Sequence, residues 1–193
     1  MTTNARDNRL RPWLRFKLAQ LATLLGRDDE AIAILAEGAA ESPGHVGAWR
    51  HLGFLHAKPG GEAAAAEALQ RALALDPGDD GTRFNLGFIL HRLKRVDDAI
   101  AEYERVVQTS PKNDRAWYGL GVCLCEKGEW ERAVAPLKEA ATQQYFNPHA
   151  GYQLCLALHR LGRGDELRTE YERVKSFEPK FAAQIRHDTG IAD

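Results

Sequence analysis

The sequence predicts an all-α chain of short helical hairpins, and three observations carry that prediction. Alanine and leucine are abundant and β-branched residues are sparse, a balance that favours helix. A leucine followed by a small residue recurs every 34 residues, at Leu18-Ala19, Leu52-Gly53, Leu86-Gly87, Leu120-Gly121 and Leu154-Cys155. Within each interval the apolar residues are three and four apart, the spacing of an amphipathic helix.

Five units of equal length follow without a gap: 12–45, 46–79, 80–113, 114–147 and 148–181. Each begins with a helix centred on its leucine. Trp49 and Trp117 stand three residues before that leucine in the second and fourth units, whereas the first and fifth have Arg15 and Gly151 there. A turn closes the first helix at Gly26, Gly60, Gly128 and Gly162, with Lys94 in the third unit. The second helix carries Ala31, Ala65, Ala99, Ala133 or Leu167, then a bulky residue four later: Leu35, Leu69, Tyr103, Leu137 or Tyr171. Pro43, Pro77, Pro111 and Pro179 stop the second helices, and Tyr145 takes that column in the fourth unit. In that unit Trp117, Leu120, Gly121 and Leu124 share one face of the first helix, and Ala133, Leu137, Ala140 and Ala141 one face of the second.

Two places depart from the pattern. Pro136 falls inside the fourth unit's second helix, so that helix is expected to kink there or to start late. The same unit ends in "QQYFNPH", with proline delayed to Pro148, which predicts a longer helix or a different turn. Residues 1–11 are read as a flexible arm, and 182–193 as a truncated helix that caps the last unit through Ile185 and ends at Gly190.

The pattern of tryptophan, leucine-glycine, alanine, bulky residue and proline at this period resembles the tetratricopeptide repeat (TPR) family, over nearly the whole chain. Units two to four match best, and the terminal units are atypical, as end units of such arrays commonly are. The resemblance implies a right-handed α-solenoid of five repeats with a short C-terminal capping helix. It also implies a concave face, lined by the first helices, that binds a peptide or protein segment.

Composition and motifs exclude several other classes. The formal net charge is −1, so the chain as a whole has no basic character for nucleic acid. No apolar run approaches the roughly 20 residues of a membrane span. No apolar signal core follows the N-terminal arginines, and three cysteines fit no disulfide framework, so reduced thiols in a cytoplasm are expected. Gly119 and Gly121 form Gly-X-Gly, but the third glycine and preceding strand of a dinucleotide fingerprint are missing. Cys123 and Cys125 are two apart, and on a helix such residues point in different directions, Cys123 to the core and Cys125 to the groove. His91, Cys125 and His159 share one column and are metal-ligand types. Equivalent helices about 10 Å apart cannot share coordination at about 2.0–2.3 Å. Arg6, Arg9, Arg11, Arg15 and Lys17 make a short basic start, read as a solvated helix end. Asp28-Asp29, Asp79-Asp80 and Asp97-Asp98 fall at helix starts, where acidic groups favour the helix dipole. No catalytic constellation stands out, and neither a metal nor a cofactor is expected.

The candidate binding residues are those two before and two after each leucine: Phe16 and Gln20, Arg50 and Phe54, Phe84 and Phe88, Tyr118 and Val122, Tyr152 and Leu156. Six of these ten are aromatic, where a plainly solvated face would be charged. His91, Arg92, His159 and Arg160 lie a turn further on, and Arg115 and His149 near their helix starts. Aromatic anchors with arginines around them suit a ligand with apolar and acidic groups. Chaperone-binding TPR domains hold a terminal carboxylate with a lysine–asparagine clamp, which Arg50, Asn85 and Arg115 resemble in part. Phe54 replaces the clamp's first asparagine and Gly119 its arginine.

The resulting expectation is a non-catalytic, cytoplasmic protein-interaction adaptor. A self-assembling homo-oligomeric scaffold is one alternative, and a regulatory module of a larger enzyme or secretion system is another. The small residue after each leucine is expected to let two helices approach closely, which offsets glycine's cost of roughly 1 kcal/mol inside a helix. Gly53→Leu or Gly87→Leu should therefore lower the unfolding free energy by ~1–3 kcal/mol through overpacking, read by urea denaturation. A neutral result would remove the close-approach argument.

Overall fold

The computed structural model describes residues 12–192, so the basic start and the arm read over 1–11 lie outside the described residues. Among these, eleven α-helices form and no strand does. They are α1 Pro12–Leu24, α2 Asp28–Glu41, α3 Val46–His56, α4 Glu62–Leu75, α5 Asp80–Arg92, α6 Val96–Thr109, α7 Asp114–Glu126, α8 Trp130–Gln143, α9 Pro148–Arg160, α10 Gly164–Phe177 and α11 Pro179–Thr189. By compactness the chain falls into two units, one ending at Ile89 and the other starting at Leu90, so that the division lies within α5.

The helix ends follow from local chemistry. The turns after α1, α3, α7 and α9 place Gly26, Gly60, Gly128 and Gly162 at φ values of 69–90°, a region open to glycine. Lys94 takes the same conformation after α5 at φ 61°. Side chains cap several first helices: the His45 ring accepts from the Ala48 amide, and Asn113 from that of Ala116. Asp79 accepts from the Thr82 amide at 3.0 Å.

In the unit ending at Ile89, α3 and α4 meet where Gly53 has no side chain. A Cβ there would lie 2.6 Å from Cγ and Cδ2 of Leu69, which is buried. In the other unit α7 and α8 meet the same way, with Gly121 against Leu137 at 2.5 Å. The leucine of the second helix thus occupies the volume that the glycine leaves empty. Gly119, on the same helix, leaves space for the Tyr103 ring, 2.6 Å from where its Cβ would be.

The tryptophan and proline columns are one device. Trp49 Nε1 donates to the Pro43 carbonyl and Trp117 Nε1 to the Pro111 carbonyl, both at 2.8 Å. Each bond ties a first helix to the end of the preceding unit. Arg83 stands in this column on α5 and donates Nη2 to the Pro77 carbonyl at 2.5 Å. At the fifth position of the column Gly151 has no side chain to donate. A Cβ there would meet Arg173, Glu170 and Val174, all at 2.7 Å. Arg173, reaching from α10, instead donates to the Tyr145 carbonyl, in the proline column, and lies over the Tyr145 and Phe177 rings. The departure at Gly151 is therefore a change of donor.

Other expectations change. Leu18 is 38% exposed, whereas Leu52, Leu86, Leu120 and Leu154 are 3–4% exposed. The α8 helix does not start late: it begins at Trp130 and runs unbroken through the buried Pro136. Nor does it lengthen. It ends at Gln143, and a different turn, closed by Asn147 accepting from the His149 amide at 3.0 Å, starts α9. The capping helix α11 begins at Pro179, earlier than residue 182, because proline suits a first helical turn. Ile185 is fully buried, and Gly190 ends the helix at φ 69°.

The α1–α3 contact includes Thr23 Oγ1 bonded to His51 Nε2 at 2.8 Å. Burial lowers the His51 pKa below 6.5, against a smaller opposing pull from Asp28. The unfolded chain thus binds the proton more readily, and stability is lost as pH falls below the unfolded value of 6.5. Denaturation at pH 7 and pH 5 should show a larger loss for wild type than for His51→Gln. Equal losses would show that His51 is not a source of the pH dependence.

Candidate functional site

The candidate residues project from the first helices of the hairpins, two positions either side of the packed leucine, so the buried leucine face fixes their direction. In the unit ending at Ile89 they divide into open and occupied. Phe16 is half-buried, with its ring 5.0 Å from His45 and edge-on to His51 at 6.0 Å. It is packed into the hairpin and is no open anchor. Arg50 donates to Asp79 at 2.8 Å. Although burial alone would raise the Asp79 pKa, hydrogen bonds from Thr82 and Arg50 hold it below the usual carboxylate value. Phe54 and Phe88 are 68% and 47% exposed, Asn85 is exposed, and Phe84 is half-buried.

The other unit shows the same division. His91 Nε2 meets Glu126 at 2.6 Å, and Lys94 reaches the other oxygen of that carboxylate at 2.9 Å. Lys94 and His91 together hold Glu126 below its ordinary pKa. Arg92 is half-buried and His159 exposed, and the Arg160 guanidinium lies 5.8 Å from the centre of the Trp130 ring. Tyr152 is tied to α11: its hydroxyl donates to Asp188 at 2.7 Å and its ring meets Phe181 edge-on. The expectation for Cys125 is corrected, because it is buried along with Cys123 and Cys155. Burial pushes the Cys125 thiol up to about 11 and, with Glu126 nearby, the Cys123 thiol up to about 12.

Arg115 and Tyr118 line a cavity of about 460 Å³ between the starts of α7 and α9 and the end of α8. Ala140 and Ala150 form apolar wall, and Asp114, Gln144, Asn147 and His149 supply polar atoms. Gln144 donates to Asp114, and Asn147 donates to Gln144 at 2.5 Å, which fixes one wall. Burial raises the Tyr118 pKa, with a smaller push from Cys125. Arg115 is exposed, and among the described residues no carboxylate pairs with it. The N-terminal ends of α7 and α9 add partial positive charge. This arrangement can take an apolar side chain against Tyr118 and the alanines, with an acidic group at Arg115 and His149.

The sequence columns found Arg115, Tyr118 and His149 but missed Asp114, Gln144 and Asn147. The break in "QQYFNPH" was their signal, since the altered turn delivers Gln144 and Asn147. Among the described residues no group of three His, Cys, Asp or Glu side chains is placed to hold a metal ion. No described helix is long and apolar enough to cross a membrane.

Hairpins repeating every 34 residues, pinned by glycine–leucine nesting and side chain–carbonyl bonds, define an all-α helical-repeat protein. Tetratricopeptide repeat models match residues 55–114 and 93–152, together just over half of the sequence, and the chain belongs to the TPR family. No curated protein matches it. Among solved structures it is similar to YrrB, a TPR protein with an unusual peptide-binding site, at TM-score 0.83 and 15% identity over 94% of each chain. It is also similar to the MamA protein, at TM-score 0.81 and 18% identity over 94% of this chain and 97% of that one. A second MamA structure, from AMB-1, gives TM-score 0.78 and 20% identity over 88% and 93%. At these identities the likeness establishes the fold.

The Asp188 bond holds the Tyr152 phenol up to about 12, and that carboxylate lies at about 2 through its bonds from Gln184, His187 and Tyr152. Asp188→Ala should return one tyrosine to titration near the ordinary value of 10, seen as a difference in phenolate absorbance between variant and wild type. Identical titration curves would show that α11 does not hold Tyr152.

Proposed function

We propose that this chain is a non-catalytic protein-interaction adaptor that binds a peptide or protein segment carrying apolar and acidic groups. The observation that carries the reading is the cavity beside Tyr118, with the unpaired Arg115 at its edge. Arginine recognises carboxylates through paired donors, and a cavity floor of ring and methyl groups suits an apolar side chain. In the unit ending at Ile89, Phe54 on α3 and Phe88 on α5 are exposed anchors, and Phe84 and Asn85 stand on α5 as well. The peptide-binding site of YrrB, on a similar fold, supports the same class of ligand. Three unpaired, buried cysteines support a reducing, cytoplasmic setting.

The structure changes the weight of the candidate residues. Arg50, His91 and Tyr152 are engaged with Asp79, Glu126 and Asp188, so a ligand would have to displace those partners. Arg115 requires no such exchange. It is the residue on which acidic recognition should depend most.

Random peptides displayed against the purified chain provide the test. Retained sequences should combine an apolar anchor with Asp or Glu. Arg115→Glu should weaken their binding by about tenfold or more, roughly 1.4 kcal/mol. Added salt should weaken the wild-type complex, as expected for exposed charge contacts. Peptides bound equally by wild type, Arg115→Glu and Tyr118→Ala would overturn this assignment of the site.

A further inference from the structure

The first helix carries large apolar side chains on its outward side as well as small ones on its core side. Trp13, Leu18, Leu21, Leu24 and Leu25 are 57%, 38%, 51%, 82% and 62% exposed. At 100° per residue they fall within an arc of about 140° on α1 and its continuing turn. Lys17 is the charged residue within that arc. The opposite side, carrying Ala19 and Ala22, meets the hairpin core with Leu35 and Ala39. In the other units the leucine equivalent to Leu18 is buried, so among the described residues α1 presents a packing surface that none of them covers.

From this surface we infer that a second copy of the chain covers α1, by antiparallel pairing of α1 with α1 about a two-fold axis. Area supports this occupant. The five exposed fractions amount to about 500 Å² of apolar surface, at roughly 150–250 Å² for a large side chain. A standard interface buries about 800 Å² per partner, about 65% of it apolar in homodimers, which is the same amount.

Polarity favours the two-fold arrangement over a head-to-tail one. Head-to-tail pairing would instead set the leucines on the last helix. The exposed residues of α11 include Lys180, Gln184, Arg186 and His187, which offer no apolar complement. An isologous contact on one self-complementary patch also closes at two copies.

Sedimentation equilibrium of the full chain over a concentration series tests the inference. Wild type should approach twice the 21.5 kDa chain mass. Leu21→Glu/Leu24→Glu, at two exposed positions, should keep its helical circular dichroism and thermal unfolding yet remain a single copy. Its dimer dissociation constant should rise by about 100-fold or more, as buried carboxylates would face one another. A wild type that stays monomeric overturns the inference, as does a dimer that survives the double substitution. Masses growing beyond two copies would mean open-ended contacts, for example of α1 with the exposed Tyr145–Phe146 bend, and would also overturn it. Arg115→Glu, on α7, should leave the wild-type dimer mass unchanged, so a failure of peptide binding and a failure of dimerisation are read separately.

Discussion

The nesting of a leucine into the gap left by a glycine is the contact on which the hairpins depend. Leu69 fills the space above Gly53, and Leu137 fills the space above Gly121. Each substitutes tertiary packing for a side chain the first helix lacks, and so brings two helix backbones together. A methyl group at either glycine would lie far inside contact distance of a buried leucine. With the leucine face of the first helix turned to the core, the side chains two positions either side of that leucine leave the helix in other directions. The direction of the candidate binding residues is thus a by-product of core packing.

A second, directional constraint joins one hairpin to the next. A donor on the first helix reaches the carbonyl of the residue that ends the unit before it. Tryptophan serves at 49 and 117, and arginine at 83. The chemical need is for an N–H on a long side chain, and two residue types meet it. Where Gly151 removes the donor, Arg173 delivers one from the opposite helix into the vacated space. The bond is kept while its owner changes, since a carbonyl at a helix junction left without a partner is costly. Tyr145 and Phe146 are turned out at this same junction, and the altered bend brings Gln144 and Asn147 to the cavity wall.

Charge is distributed by the same economy. Several basic side chains on and just after the first helices already have partners: Arg50 on Asp79, His91 and Lys94 on Glu126, and Arg160 over Trp130. These contacts are exposed or partly exposed and contribute little each to stability. Arg115 beside Tyr118 has no carboxylate partner among the described residues. The α1 stripe is the apolar counterpart, a packing surface that no described residue covers.

The sequence by itself determined the helical class, the 34-residue beat and the turn positions, because these depend on periodic local chemistry. The leucine, the small residue after it, the positive-φ glycine and the proline are each fixed by a short-range requirement that recurs. Only the tertiary structure decided which of the candidate binding residues remain open. Phe16 against His45, Tyr152 on Asp188 and Arg50 on Asp79 are contacts across 29 to 36 residues, and no column records whether the partner at that distance is a ring, a carboxylate or empty space. Leu18 makes the same point in reverse. Its column marks it as core, yet a side chain is buried only where a neighbour exists to cover it, and α1 has none within the chain's described residues.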